Sequence, residues 1–88
     1  MAERSVQIVN KMGLHARPAA ELVKTASRFS CDITISRDDL EVNGKSIMGV
    51  MMLAAEFGAS ITIKAAGGDA DAAVEAIAAL VAARFGES

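Results

Sequence analysis

The chain has 88 residues, with 9 Lys+Arg against 11 Asp+Glu, one His, a formal net charge of -2, 52% hydrophobic and 23% charged positions. That length supports one core, with roughly 4,900 Å² left exposed and about 60% of the unfolded surface removed from water, which disfavours a deep enzyme cleft. The chain is too apolar for disorder, has no apolar run near the ~20 residues that span a bilayer, and joins an acidic balance to an absence of Trp and Tyr, against a nucleic-acid partner.

Val6 to Val9 is short, apolar and β-branched, and reads as a first strand ending at Asn10. Ala19, Leu22, Val23 and Ala26 recur at helical spacing, with Glu21, Lys24 and Arg28 off that stripe, which predicts an amphipathic helix. Cys31, Ile33 and Ile35 alternate with Asp32, Thr34 and Ser36; beyond Arg37-Asp38-Asp39, Leu40 and Val42 alternate with Glu41 and Asn43. This predicts a hairpin with one wet face.

Ser46 is placed to cap a short helix running from Ile47 to Leu53, although Gly49 inside it weakens the helical preference. Ile61 and Ile63 alternate with Thr62 and Lys64 as a fourth strand, and Gly67-Gly68 breaks it. Asp69 then caps a last helix carrying Ala70, Ala73, Val74, Ile77, Leu80 and Val81, with Gly86 as its stop. The order βαββαβα predicts an α+β open-faced sandwich, a four-stranded antiparallel sheet with three helices on one face, and residues 1–88 read as a single domain.

The opening Met-Ala-Glu-Arg-Ser lacks the pattern of a signal peptide, and Cys31 has no partner for an internal disulfide, so a cytoplasmic location is expected. One Cys and one His do not furnish a metal site, and no cofactor is expected. Cys31 reads as a small core residue and Lys45 as a solvated one; Asp38, Asp39, Glu41 and Glu56 form no pair spaced for acid-base work.

Packing does not explain Gly13-Leu14-His15-Ala16-Arg17-Pro18. Pro18 is tolerated in a first helical turn and would break a helix interior, so the helix starts close to His15 or Ala16. An imidazole at that end sits beside unpaired backbone N–H groups, Ala16 among them, that suit an anion. The helix dipole there disfavours an imidazolium and favours an attached phosphoryl group, by about 0.3 to 2 kcal/mol. Arg17 adds a planar cationic fork for phosphate oxygens. A histidine at a helix start is ordinarily a cap or a solvated residue, and helix geometry alone does not decide between these readings.

Two motifs do. Gly-Leu-His-Ala-Arg-Pro-Ala at 13–19 resembles the active-site stretch of the HPr family, the histidine-containing phosphocarriers of the bacterial phosphotransferase system, and Asn-Gly-Lys-Ser-Ile-Met-Gly-Val-Met at 43–51 resembles that family's second signature. The resemblance implies a phosphocarrier, not an independent enzyme. His15 would accept a phosphoryl group through Nδ1 from enzyme I, charged by phosphoenolpyruvate, and hand it to enzyme IIA domains. Arg17 would neutralise the group and Pro18 would shape the helix start.

It also implies regulatory phosphorylation at Ser46 by an HPr kinase/phosphorylase, possible contact with a catabolite-control regulator, and an apolar docking patch. Ile47, Met48, Met51 and Met52 would form that patch with Ala20 and Lys24 of the first helix, and about half of the Met and Ile positions should face inward. A nitrogen-related phosphocarrier is the alternative, hinted at by Met51-Met52-Leu53-Ala54-Ala55; a non-catalytic α+β interaction domain is the remote one. The catabolite-repression paralogue lacking the active-site histidine is disfavoured by His15. A monomer is the default.

Overall fold

In the computed structural model, which describes residues 1–87, the first strand, β1, occupies Ala2–Gln7, not Val6–Val9 as the β-branched run suggested. Ala2, Arg4 and Val6 take one side of this edge strand. Arg4 sits at an otherwise apolar position because its guanidinium reaches Glu75 on the last helix. Side-chain polarity therefore hid the period-2 pattern, and Val9 lies beyond the strand, exposed.

Helix α1 follows over Ala16–Ala26, then the hairpin β2 (Asp32–Arg37) and β3 (Leu40–Asn43), helix α2 (Ile47–Met52), strand β4 (Ser60–Ala66) and helix α3 (Ala70–Ala82). The sheet order is β1-β4-β2-β3, antiparallel throughout, in an α+β architecture. The register pairs Val6 with Ile61 and Ile35 with Ile63, which concentrates the apolar inner face on the two central strands. Thr34, Ser36, Thr62 and Lys64 take the opposite face, where the Ser5 and Thr62 hydroxyls meet at 3.1 Å.

The helices cover the inner face with Leu22 of α1, Val50 of α2 and Ile77 and Val81 of α3, packed on Ile33, Ile35, Ile61 and Ile63. Each fully buried aliphatic side chain contributes about 1.5–3 kcal/mol. The exposed surface, 4866 Å², matches the expectation for a chain of this mass.

Three local expectations change. Asp69 occupies the N-cap position of α3 without capping it, because its carboxylate accepts from the Ser30 and Cys31 amides at 2.9 and 3.0 Å. Those bonds hold its carboxyl below the ordinary range. Helix α3 ends at Ala82, ahead of Gly86; a short 3-10 turn, Arg84–Gly86, follows and buries Phe85. Lys45 is not simply solvated, since its ammonium donates to the Phe29 carbonyl at 2.7 Å, just past α1.

Ser46 does cap α2, its hydroxyl accepting the Gly49 amide at 3.1 Å. A Cβ on Gly49 would come within 3.3 Å of the Val42 Cβ and 3.4 Å of the Asn43 carbonyl oxygen. Glycine therefore lets α2 lie close against β3, a tertiary reason that outweighs its poor helix propensity.

Candidate functional site

The chain from β1 to α1 makes a tight turn before it reaches His15. Asn10, 1% exposed, donates through Nδ2 to the Gly13 carbonyl at 2.8 Å, and the Gly13 amide returns a bond to the Asn10 carbonyl at 3.2 Å. Gly13 has φ +70 and passes under the segment after α2, where a Cβ would stand 2.5 Å from the Ala55 carbonyl oxygen. Leu14 N–H donates to that oxygen at 2.8 Å, and the Leu14 side chain is buried. The glycine thus docks the turn on the body of the protein and presents the next residue at a set place.

That residue is His15, the N-cap of α1. Its carbonyl opens the helical ladder by accepting from Ala19 N–H at 3.0 Å, yet its side chain makes no capping bond. Pro18 has no N–H, so the donors left over in this first turn belong to Ala16 and Arg17. Ala16 and Arg17 are exposed and Pro18 is buried under the helix start. No acidic residue occupies the first turn to compete for the positive end of the dipole.

The imidazole is neither capping nor merely solvated. Its Nε2 lies 3.0 Å from a carboxylate oxygen of Glu87, and the other oxygen of that carboxylate accepts from Asn10 Nδ2 at 3.0 Å. His15, Arg17, Lys11, Met12, Gly86 and Glu87 line one open pocket, which places two cations and one carboxylate around the ring. The His15 side chain remains 40% exposed, accessible from solution.

The remaining expected residues lie apart from this pocket. Ser46 heads α2, which packs beside α1. Ile47, Met48, Met51 and Met52 are all exposed, from 41% for Met51 to 77% for Met48, so the inward half expected of that set does not exist. Val50 and Leu53 supply the buried contact instead; one turn and a half of helix has room for only a narrow inward stripe. On α1, Ala20 is half-buried and Lys24 exposed. Among the described residues, no group of three or more His, Cys, Asp or Glu side chains could hold a metal ion, and no helix is long and apolar enough to cross a membrane.

Sequence reading missed Asn10, Lys11 and Glu87. Lys11 stands close enough to His15 in the chain to have been noticed as a second cation, whereas Glu87 is 72 residues away and no spacing rule connects the two.

Comparison with known proteins adds a family likeness. The family model described as PTS HPr component phosphorylation site matches residues 2–83. A phosphocarrier protein HPr of Cupriavidus necator is 47% identical over 87 residues, covering 99% of this chain and 98% of that protein. A phosphocarrier protein NPr of Shewanella violacea is 46% identical, covering 98% and 94% respectively. The crystal structure of HPr-C-His from Thermoanaerobacter tengcongensis superposes with a TM-score of 0.96 at 45% identity, covering 100% of this chain and 99% of that one.

Proposed function

The chain belongs to the HPr family of phosphocarrier proteins, and from that premise we propose that His15 accepts a phosphoryl group from enzyme I and passes it to enzyme IIA domains of the phosphoenolpyruvate-dependent sugar phosphotransferase system. The observation that carries this reading is an accessible imidazole at the amino end of α1 that is not used as a cap. The phosphoryl oxygens take the Ala16 and Arg17 amides and the Arg17 guanidinium, while Pro18 shapes the turn without competing for a partner. Stabilisation at a helix end of about 0.3 to 2 kcal/mol holds the group yet lets it leave, as a carrier requires. No cofactor takes part, and the chain acts as one domain, a cytoplasmic monomer.

The exposed Ile47, Met48, Met51 and Met52 form the partner-docking patch, with Ala20 beside it and Lys24 at its rim. Adaptable Met side chains suit a surface that must meet several partners in turn. Phosphorylation of Ser46 by an HPr kinase/phosphorylase adds nearly two negative charges next to this patch, slowing transfer from enzyme I and offering a surface to a catabolite-control regulator.

Incubation with enzyme I and labelled phosphoenolpyruvate should give an acid-labile, base-stable phosphoprotein. The His15→Ala variant should stay folded and unlabelled; a normally labelled variant refutes the assignment. A Ser46→Asp variant that accepts at the unmodified rate refutes the regulatory part. A nitrogen-related relay is the second reading, favoured by the likeness to an NPr protein. Onward transfer to enzyme IIA of the nitrogen branch, in preference to the sugar branch, would establish it.

A further inference from the structure

We propose that Glu87 is a positioning residue for His15: its carboxylate holds the ring proton on Nε2 and thereby leaves Nδ1 as the nitrogen that attacks phosphorus. This rests on the reading of His15 as the phosphoryl acceptor. An ionised carboxylate has acceptors only, so the 3.0 Å contact requires Nε2 to be the donor. In a neutral imidazole the lone pair is then on Nδ1, which meets no hydrogen-bond partner among the described residues.

The carboxylate is itself held. Asn10 spends its Nδ2 on Glu87 and on the Gly13 carbonyl, so one buried amide ties the terminal segment to the turn that presents His15. Arg84, Phe85 and Gly86 all have positive φ, 59, 55 and 78, which turns the chain back after α3. Two of these are not glycine, so their side chains hold a left-handed backbone conformation under strain. Burial of Phe85 offsets that strain and fixes the segment so that Glu87 faces the ring. Lys11 and Arg17, lining the same pocket, balance a carboxylate near a site meant for an anion.

During transfer, the Nδ1 lone pair forms the new N–P bond as the bond from phosphorus to the donor breaks, and that bond's electron pair stays with the donor. The ring becomes a phosphoimidazolium that keeps its Nε2 proton, and its new positive charge stands beside the Glu87 carboxylate. On outward transfer the N–P pair returns to Nδ1 and the ring departs neutral. Loss of the Nε2 proton would make the leaving group an imidazolate and trap the phosphoryl group; the carboxylate orients the ring against that loss, as the acidic member of a catalytic triad orients its histidine.

The test uses ring-labelled ¹⁵N protein titrated until the imidazole is neutral. Wild type should show a protonated Nε2 and an unprotonated Nδ1 with widely separated shifts and a slowly exchanging Nε2 proton. In Glu87→Ala the shifts should draw together and the proton should exchange fast, while Glu87→Gln, which keeps an acceptor oxygen, should lie between. With enzyme I as donor, kcat for acceptance should fall in Glu87→Ala on the order of tenfold, with KM unchanged. A wild-type ring protonated on Nδ1 overturns the proposal, as does a Glu87→Ala variant with unaltered shifts and kcat. Failure of wild type to accept phosphate at all refutes the acceptor reading instead, and leaves the ring spectra to judge the Glu87 contact.

Discussion

Replacing Gly13 by Ala should be among the most damaging single-methyl changes in the protein, and its size can be worked from the backbone. The added Cβ would stand 2.5 Å from the Ala55 carbonyl oxygen and 2.9 Å from the Glu56 Cα, both main-chain atoms that cannot swing aside. The φ of +70 adds about 1–2 kcal/mol of left-handed strain, and overpacking a close contact adds about 1–3 kcal/mol. The expected loss is therefore about 2–5 kcal/mol, against a total of about 4–13 kcal/mol for a domain of this length. Gly58 supplies the control: its φ is +89 and a Cβ there meets nothing within 4 Å, so Gly58→Ala carries strain without a clash. Thermal melts followed by circular dichroism should place Gly13→Ala at least about 8 °C below wild type, at roughly 4–8 °C per kcal/mol, and clearly below Gly58→Ala. Equal melting temperatures for the two variants would refute the argument that close docking under Ala55, and not glycine's freedom alone, holds the His15 turn.

Ser46→Ala should cost about 1 kcal/mol through loss of the cap bond to Gly49, read as a fall of about 4–8 °C in Tm; no fall would mean the cap contributes nothing. The Asp69 carboxyl titrates below its ordinary value of 3.8 because the Ser30 amide and Cys31 donate to it. Its stabilising effect is thus complete above that value and lost as pH falls through the lowered one, since the unfolded chain then binds more protons. Asp69→Asn should flatten the acid limb of a stability-pH curve below that ordinary value; an unchanged limb would remove Asp69 from acid unfolding. Burial pushes the Cys31 thiol above 9.0, so a thiol reagent at pH 8 should modify it only on unfolding, and rapid native labelling would contradict its place in the core.

Ile47, Met48, Met51 and Met52 show where local pattern stops being informative. Their helical spacing identified α2 correctly, but not that all four stay outside, because the inward side of so short a helix is taken by Val50 and Leu53. Arg4 makes the complementary point: a charge at an inward strand position reads as a break in the pattern until Glu75 arrives from α3 to pair with it.

From residue order alone came the arrangement of strands and helices, the Ser46 cap and the placing of His15 at the start of α1, because each depends on neighbours a few residues away: period, caps, and proline's missing N–H. The partner of the imidazole depended on the folded chain. Glu87 meets His15 and Asn10 only once β1 and α3 lie side by side and the backbone after α3 turns through left-handed conformations. Contacts between distant segments follow from how layers pack, and packing is a property of the whole core that no local spacing encodes.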